Sequence, residues 1–240
     1  MFENEGAETS GDRSVKVPPS ESRSSKAERT RAAIRDAALR SFRENGFDAT
    51  TMRSLAQDAG VSLGNAYYYF PTKNHLVQEL YIEVQQAHRA AVEPRLKASA
   101  GLIERVGIVY REGLAQLAPF HSFAPGFLNA MVAPDSPLNP LSPESSAARE
   151  ITVGLFREAI TGARNRLPPE FEERMPDLLW LGHLQLSLYW SYDRSDEQRR
   201  TARLLDQGLR LLKAALPAIR TPFLRAPLRS LLDLVAEAGM

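Results

Sequence analysis

Cysteine is absent from the 240 residues. That removes disulfide frameworks, thiol nucleophiles and thiolate metal sites, and it fits a reducing compartment. Long apolar runs are missing too. The longest, Leu178 to Trp190, is interrupted by Gly182, His183, Gln185 and Ser187 and falls short of the roughly 20 residues that a membrane helix needs. The N-terminus is polar and acidic, without the apolar stretch of a secretory signal. These absences lead to the expectation of a soluble, cytoplasmic protein with no membrane partner. Histidine is scarce, at positions 75, 88, 121 and 183. No HExxH, GxSxG, P-loop or strand-bound GxGxxG occurs. Glu172, Glu173 and Asp177 read as the solvated face of an amphipathic helix rather than as paired catalytic acids. The expectation is therefore no catalysis, no metal and no cofactor. Period-2 alternation and internal repeats are missing as well, which argues against a sheet or a solenoid.

Helical periodicity is what remains. Hydrophobic residues make up 43% of the chain and charged residues 25%, enough for a substantial core. The net charge of +1 hides an uneven distribution: residues 1–12 carry Glu3, Glu5, Glu8 and Asp12 with no base, whereas residues 13–73 hold 11 Lys/Arg against 6 Asp/Glu. A local basic excess points weakly to nucleic acid and equally to a solvated surface. Residues 1–25, rich in Ser, Glu, Gly and Pro, read as a disordered arm. From Ala27 onward Ile34, Ala38 and Phe42 recur at i, i+4, i+8, and Asn45-Gly46 ends that helix. Thr50 or Thr51 caps the next, whose inner face is Met52, Leu55, Ala56 and Ala59. Gly60 stops it. Ser62 caps a third short helix, closed by Phe70-Pro71. A fourth starts at Thr72 and runs to near Pro94 or just past it. Further helices are expected over Leu102–Ala118, Pro125–Val132, Glu144–Arg166, Glu170–Tyr192 and Asp196–Leu216. Another amphipathic stretch, Leu228, Leu231, Leu232 and Val235, follows in the tail.

The pair Thr51–Ala59 and Leu63–Tyr69, joined by a tight Gly-containing turn, reads as a helix-turn-helix. Leu63, Ala66 and Phe70 share its inner face. Gly64, Asn65, Tyr68 and Tyr69 point outward, with Tyr67 at the edge. Small residues at a helix start let the backbone approach a phosphate closely, and tyrosine offers a hydroxyl to phosphate and a ring edge to a base. Spacing alone leaves a second reading open, in which the tyrosines pack against the fourth helix.

Arg31 to Leu76 resembles the DNA-binding domain of the TetR family of one-component transcriptional regulators. The pieces that carry the resemblance are "RAAIRDAALRSFRENGFDATTMRSLAQDAGVS", "GNAYYYF" and "TKNHL". Each is weak alone and specific in combination. The resemblance implies that Ser62, Gly64 and Asn65 open the recognition helix, that Tyr67, Tyr68 and Tyr69 touch backbone or base edges, and that Thr51 and Lys73 contact phosphate. Ala66 stands where a larger aliphatic is usual, and Asn74 where Glu is common. The fold expected is all-α. It comprises the disordered arm at 1–25, a three-helix DNA-binding domain at 26–73, a larger ligand-binding and dimerisation domain at 74–220, and a tail at 221–240.

In that larger domain the apolar hairpin Asp177–Trp190 with Asp196–Leu216 suits a four-helix interface between two copies, as the resemblance also implies. Candidate ligand contacts are Phe123, Phe127, Met131, Phe156, His183 and Tyr189, with Phe120 beside them. They are apolar or aromatic with a few polar tips, although each alone also reads as ordinary core. The function expected is a ligand-responsive regulator, a repressor. It would bind double-stranded DNA over a palindromic operator as a homodimer and be released by a small hydrophobic or aromatic ligand. The alternative is a helix-turn-helix DNA-binding protein without an effector.

Overall fold

The computed structural model describes residues 20–221 and, beyond them, residues 226, 227, 229, 230 and 233. Among the described residues the regular structure is helical throughout, with no strand. The elements are α1 (Ser20–Asn45), α2 (Met52–Asp58), α3 (Leu63–Tyr69), α4 (Lys73–Ala98), α5 (Leu102–Leu117), α6 (Ala124–Val132), α7 (Ser146–Thr161), α8 (Pro169–Tyr192) and α9 (Arg199–Arg220). Short 3-10 turns precede α6, α7 and α9. No described helix is long and apolar enough to cross a membrane.

Two apolar cores organise these helices. The smaller unites α1, α2, α3 and the start of α4 around Ile34, Phe42, Leu55, Phe70 and Leu76, all 1% exposed or less. Its turns follow from local chemistry. Gly46 and Gly60 adopt φ of +81° and +67° after α1 and α2, a region that side-chain-bearing residues enter at a cost. Thr51 caps α2 with a reciprocal Ser54 box, and Ser62 caps α3 by accepting from the Asn65 amide. Ion pairs from Arg31 and Arg35 to Glu79, and from Arg35 to Glu83, tie α1 to α4.

The larger core is built by α4, α5, α7, α8 and α9 around Val92, Val109, Leu155, Phe156 and Phe171. Arg105 is buried within it. Its guanidinium donates to the carbonyls of Ser99 at 2.9 Å, Glu158 at 2.8 Å and Ala159 at 2.8 Å, and to Leu96, so it joins the ends of α4 and α7.

Several boundaries differ from expectation. Helix α1 begins at Ser20, inside the span read as an arm, because no breaker lies between Pro19 and Asn45. Residues 1–19 and the tail positions Leu228, Leu231, Leu232 and Val235 lie outside the described residues. Helix α4 continues past Pro94 to Ala98 and α9 past Pro217 to Arg220; both prolines sit near a helix end. Helix α7 stops at Thr161, with Gly162 as its cap. Helix α9 starts later than Asp196 because Glu197 and Gln198 take positive φ, 51° each, a strained conformation for residues with a Cβ. Asp193 holds this kink: its carboxylate accepts from the Ser195 amide and hydroxyl and from the Thr201 amide and hydroxyl.

Candidate nucleic-acid interface

Helix α3 is only seven residues long, and its amino acids divide it sharply. Ala66 and the following Phe70 are buried against α1 and α2. Gly64 and Asn65 are exposed, Tyr67 is 47% and Tyr68 80% exposed. Tyr67 and Tyr69 exchange the roles expected of them: Tyr67 faces out, while Tyr69 is half-buried on the small core with its ring 5.2 Å from that of Tyr68. A Cβ placed on Gly64 would meet no atom within 4 Å, and its φ is ordinary. Neither packing nor backbone conformation explains this glycine, although it weakens a helix relative to alanine by about 1 kcal/mol.

Thr51 and Ser62 are exposed at the N-termini of α2 and α3, where capping already uses their oxygens. Lys73 is tied to the fold. Its ammonium is turned inward, donating to Thr50 O at 3.0 Å and to Phe47 O at 2.5 Å, and it lies 4.0 Å from the Phe47 ring centroid. Burial lowers its pKa, against the pull of Asp48. The residue therefore pins the α1–α2 turn to the start of α4 instead of presenting a free charge. Arg31, another basic residue of this region, is likewise engaged by Glu79 and lies over Phe70.

The six ligand candidates do not form one site. Phe123, Phe127 and Met131, with Phe120, pack on the smaller core. The Phe127 ring lies 5.2 Å from Phe42, 5.1 Å from Phe47 and 5.8 Å from Phe123. Leu138, in the loop after α6, is buried in the same core, and Gln78 of α4 donates to Pro137 O. This segment is thus an aromatic bridge between the two domains. Phe156 and His183 meet in the larger core. Tyr189 is 44% exposed and lines an open groove of about 590 Å³ with Gln185, Leu188, Tyr192, Asp193 and Arg200. Sequence reasoning missed Phe47, Arg105, His88 and Tyr110. Only Phe47 carried a local signal, an aromatic directly after the Asn-Gly turn.

The profile described as bacterial regulatory proteins, tetR family, matches residues 34–80, and that described as tetracyclin repressor-like, C-terminal domain, matches residues 105–237. Among curated relatives, the HTH-type transcriptional regulator TtgR of Pseudomonas putida is 40% identical over 62 residues, which is 26% of this chain and 30% of that protein. The fatty acid metabolism regulator protein of Bacillus subtilis is 30% identical over 91 residues, 38% of this chain and 47% of that protein. The matched stretches thus span less than half of these relatives' lengths. Solved structures agree over more of the fold. A TetR transcriptional regulator from Nitrosomonas europaea superposes with a TM-score of 0.59 at 20% identity, covering 75% of this chain and 96% of that one. FadR from Bacillus subtilis in complex with stearoyl-CoA gives 0.56 at 18%, covering 73% and 95%. The two profiles cover both the helix-turn-helix and most of the larger domain, and the chain belongs to the TetR family of bacterial transcriptional regulators.

Proposed function

We propose that this chain is a ligand-responsive repressor, not an enzyme, that reads a palindromic operator as a homodimer. The observation that carries the reading is the outward face of α3. Gly64, Asn65, Tyr67 and Tyr68 stand free of the fold, with the exposed N-termini of α2 and α3 beside them as phosphate-binding dipoles. Asn65 and Tyr68 are assigned to base edges, and Thr51, Ser62 and Tyr67 to the backbone. Tyr69 and Lys73 are assigned to holding the reading head in shape.

One short helix covers too few base pairs for useful specificity, so two copies are needed. The outer faces of α8 and α9 supply the contact. Leu188 and Tyr192 on α8, and Leu204, Gly208 and Leu211 on α9, are exposed along their helices, an apolar surface of the kind that pairs with its twin. A mostly apolar effector agrees with the composition of the larger core, and relatives named for fatty acid metabolism and crystallised with stearoyl-CoA make an acyl chain one class to test. Helix α4 and the Phe127 bridge both join the two domains, so an effector that favours another spacing of the reading heads weakens operator binding by linkage.

Selection of duplexes from the source genome tests this reading. It predicts enrichment of an inverted repeat with half-sites about one helical turn apart. It also predicts loss of binding as salt rises, from displaced counterions. Recovery of no common sequence would overturn it. Specific binding that no bound compound alters would leave the effector-free alternative.

A further inference from the structure

Buried polar atoms nearly always find hydrogen-bond partners. Among the described residues four buried side-chain atoms do not: Ser99 Oγ, Trp180 Nε1, His183 Nδ1 and Ser187 Oγ. Three of these lie on α8 at i, i+3 and i+7, which places them on one face over about 10 Å. Trp180 and His183 are 2% and 4% exposed.

Around His183 the surroundings are specific. The rings of His88 from α4, Tyr110 from α5 and Phe156 from α7 stand 5.9, 6.0 and 6.4 Å from its imidazole, that of His88 stacked at 20°. Two mid-helix glycines open the backbone to this group. A Cβ on Gly113 would lie 2.5 Å from His183 Cε1, and one on Gly182 would lie 2.8 Å from Tyr110 Oη. Several neighbouring polar groups are already engaged. His88 Nε2 donates to Val109 O at 2.8 Å, Tyr110 Oη to Leu179 O at 2.8 Å, and Thr152 Oγ1 to Gln85 Oε1 at 2.6 Å. The α8 face holds three of the four unpartnered buried side-chain atoms among the described residues.

The charge state narrows the chemistry. Burial and the facing His88 push the His183 pKa down to about 3, so the imidazole is neutral at physiological pH and offers no cation to an anion. None of the rings packed on it belongs to a charged residue. Arg149, which stands over Trp180 at 5.7 Å, is engaged by Pro140 O. A hydroxyl both donates and accepts, so it matches an imidazole nitrogen and a serine hydroxyl one turn apart. The ring box favours an aromatic body.

We propose that the α8 face Trp180–His183–Ser187 is the effector-recognition element of the larger domain, and that it takes a neutral aromatic molecule carrying a hydroxyl group. The inference rests on the ligand-responsive reading given above and names the chemistry of that ligand. It separates His183 and Phe156 from the remaining ligand candidates. Phe123, Phe127 and Met131 pack on the smaller core, and Tyr189 lines a separate groove. The glycine contacts show the face closed over by its own rings, so entry requires an opening of the core that the ligand stabilises.

The test titrates the full-length dimer, by calorimetry and thermal shift, with three probes that differ in one group: 4-ethylphenol, ethylbenzene and 4-ethylbenzoate. The wild type should bind 4-ethylphenol about tenfold more tightly than ethylbenzene, the worth of a satisfied hydrogen bond to a buried group, and should discriminate against 4-ethylbenzoate. In His183→Phe, which keeps a ring and removes both nitrogens, the phenol preference should vanish while folding is retained. Ser187→Ala, the gentler change, should reduce it. Equal binding of phenol and hydrocarbon, preference for the benzoate, no binding of any probe, or an unchanged preference in both variants would overturn the proposal. Operator binding is measured on the same samples. If the duplex is still bound and is released by another compound, such as lauroyl-CoA, only the ligand assignment fails. If no duplex is bound, the regulatory reading fails while the hydroxyl selectivity stands.

Discussion

Replacing Phe127 with Ala removes the ring that joins α6 to the DNA-binding domain. Phe127 is half-buried, and its ring meets Phe42, Phe47 and Phe123 within 5.8 Å. Truncating a fully buried Phe costs about 3–5 kcal/mol. Partial exposure lowers that, while two of the lost aromatic partners, Phe42 at 0% and Phe47 at 7% exposed, are core residues. A loss of about 2 kcal/mol from the small domain follows. Both tryptophans, Trp180 and Trp190, lie on α8, so tryptophan fluorescence reports chiefly the larger domain, whereas far-UV circular dichroism reports both. In urea the variant should lose part of its ellipticity about 1–2 M earlier than the wild type, with the fluorescence midpoint almost unmoved. Coincident shifts of both signals would refute the reasoning. They would mean that Phe127 belongs energetically to the larger core.

Lys73→Met keeps the aliphatic stem but leaves the Phe47 and Thr50 carbonyls without their ammonium; thermal unfolding should show a loss of about 1–3 kcal/mol, while the salt slope of operator binding stays unchanged. Acid should destabilise the larger domain in two steps. His183 has a folded pKa far below the unfolded 6.5 and His88 is shifted the same way, chiefly by burial. Their stabilisation is complete above pH 6.5 and declines as pH falls, by about 2–3 kcal/mol at pH 4.5 for His183 alone. Asp193 is depressed because hydrogen bonds from Ser195 and Thr201 outweigh the opposing effect of burial; its contribution is present above its unfolded value of 3.8 and is lost below it. Denaturant midpoints from pH 8 to pH 3 check both steps, and His183→Phe should flatten the upper one. Leu204→Glu with Leu211→Glu, on the exposed α9 face, should yield a folded monomer by sedimentation.

The small domain was readable because its signals are local. The Ile34–Ala38–Phe42 stripe, the glycines at positive φ, and the Thr51 and Ser62 caps act within a few residues of themselves. The inward turn of Lys73 was not legible because the direction of a long side chain is a tertiary fact: the carbonyls it satisfies lie 26 and 23 residues earlier. Phe123, Phe127 and Met131 were recognisable as buried apolar residues, yet periodicity does not say which of two cores a short helix joins. Arg105 carries no local signal and is buried among four carbonyls from two other chain segments. Pro217 hid the end of α9 in the same way, since the helix runs past it to Arg220.

The central claim is that α3 meets DNA through its outward face, and Gly64→Ala tests it most directly. The added methyl meets nothing within 4 Å in the free protein, and alanine favours the helix by up to about 1 kcal/mol. The account predicts a variant that is at least as stable as the wild type in denaturant but binds its selected operator at least about tenfold more weakly, because the methyl holds the backbone off the duplex. Unchanged operator affinity in this stable variant would contradict it.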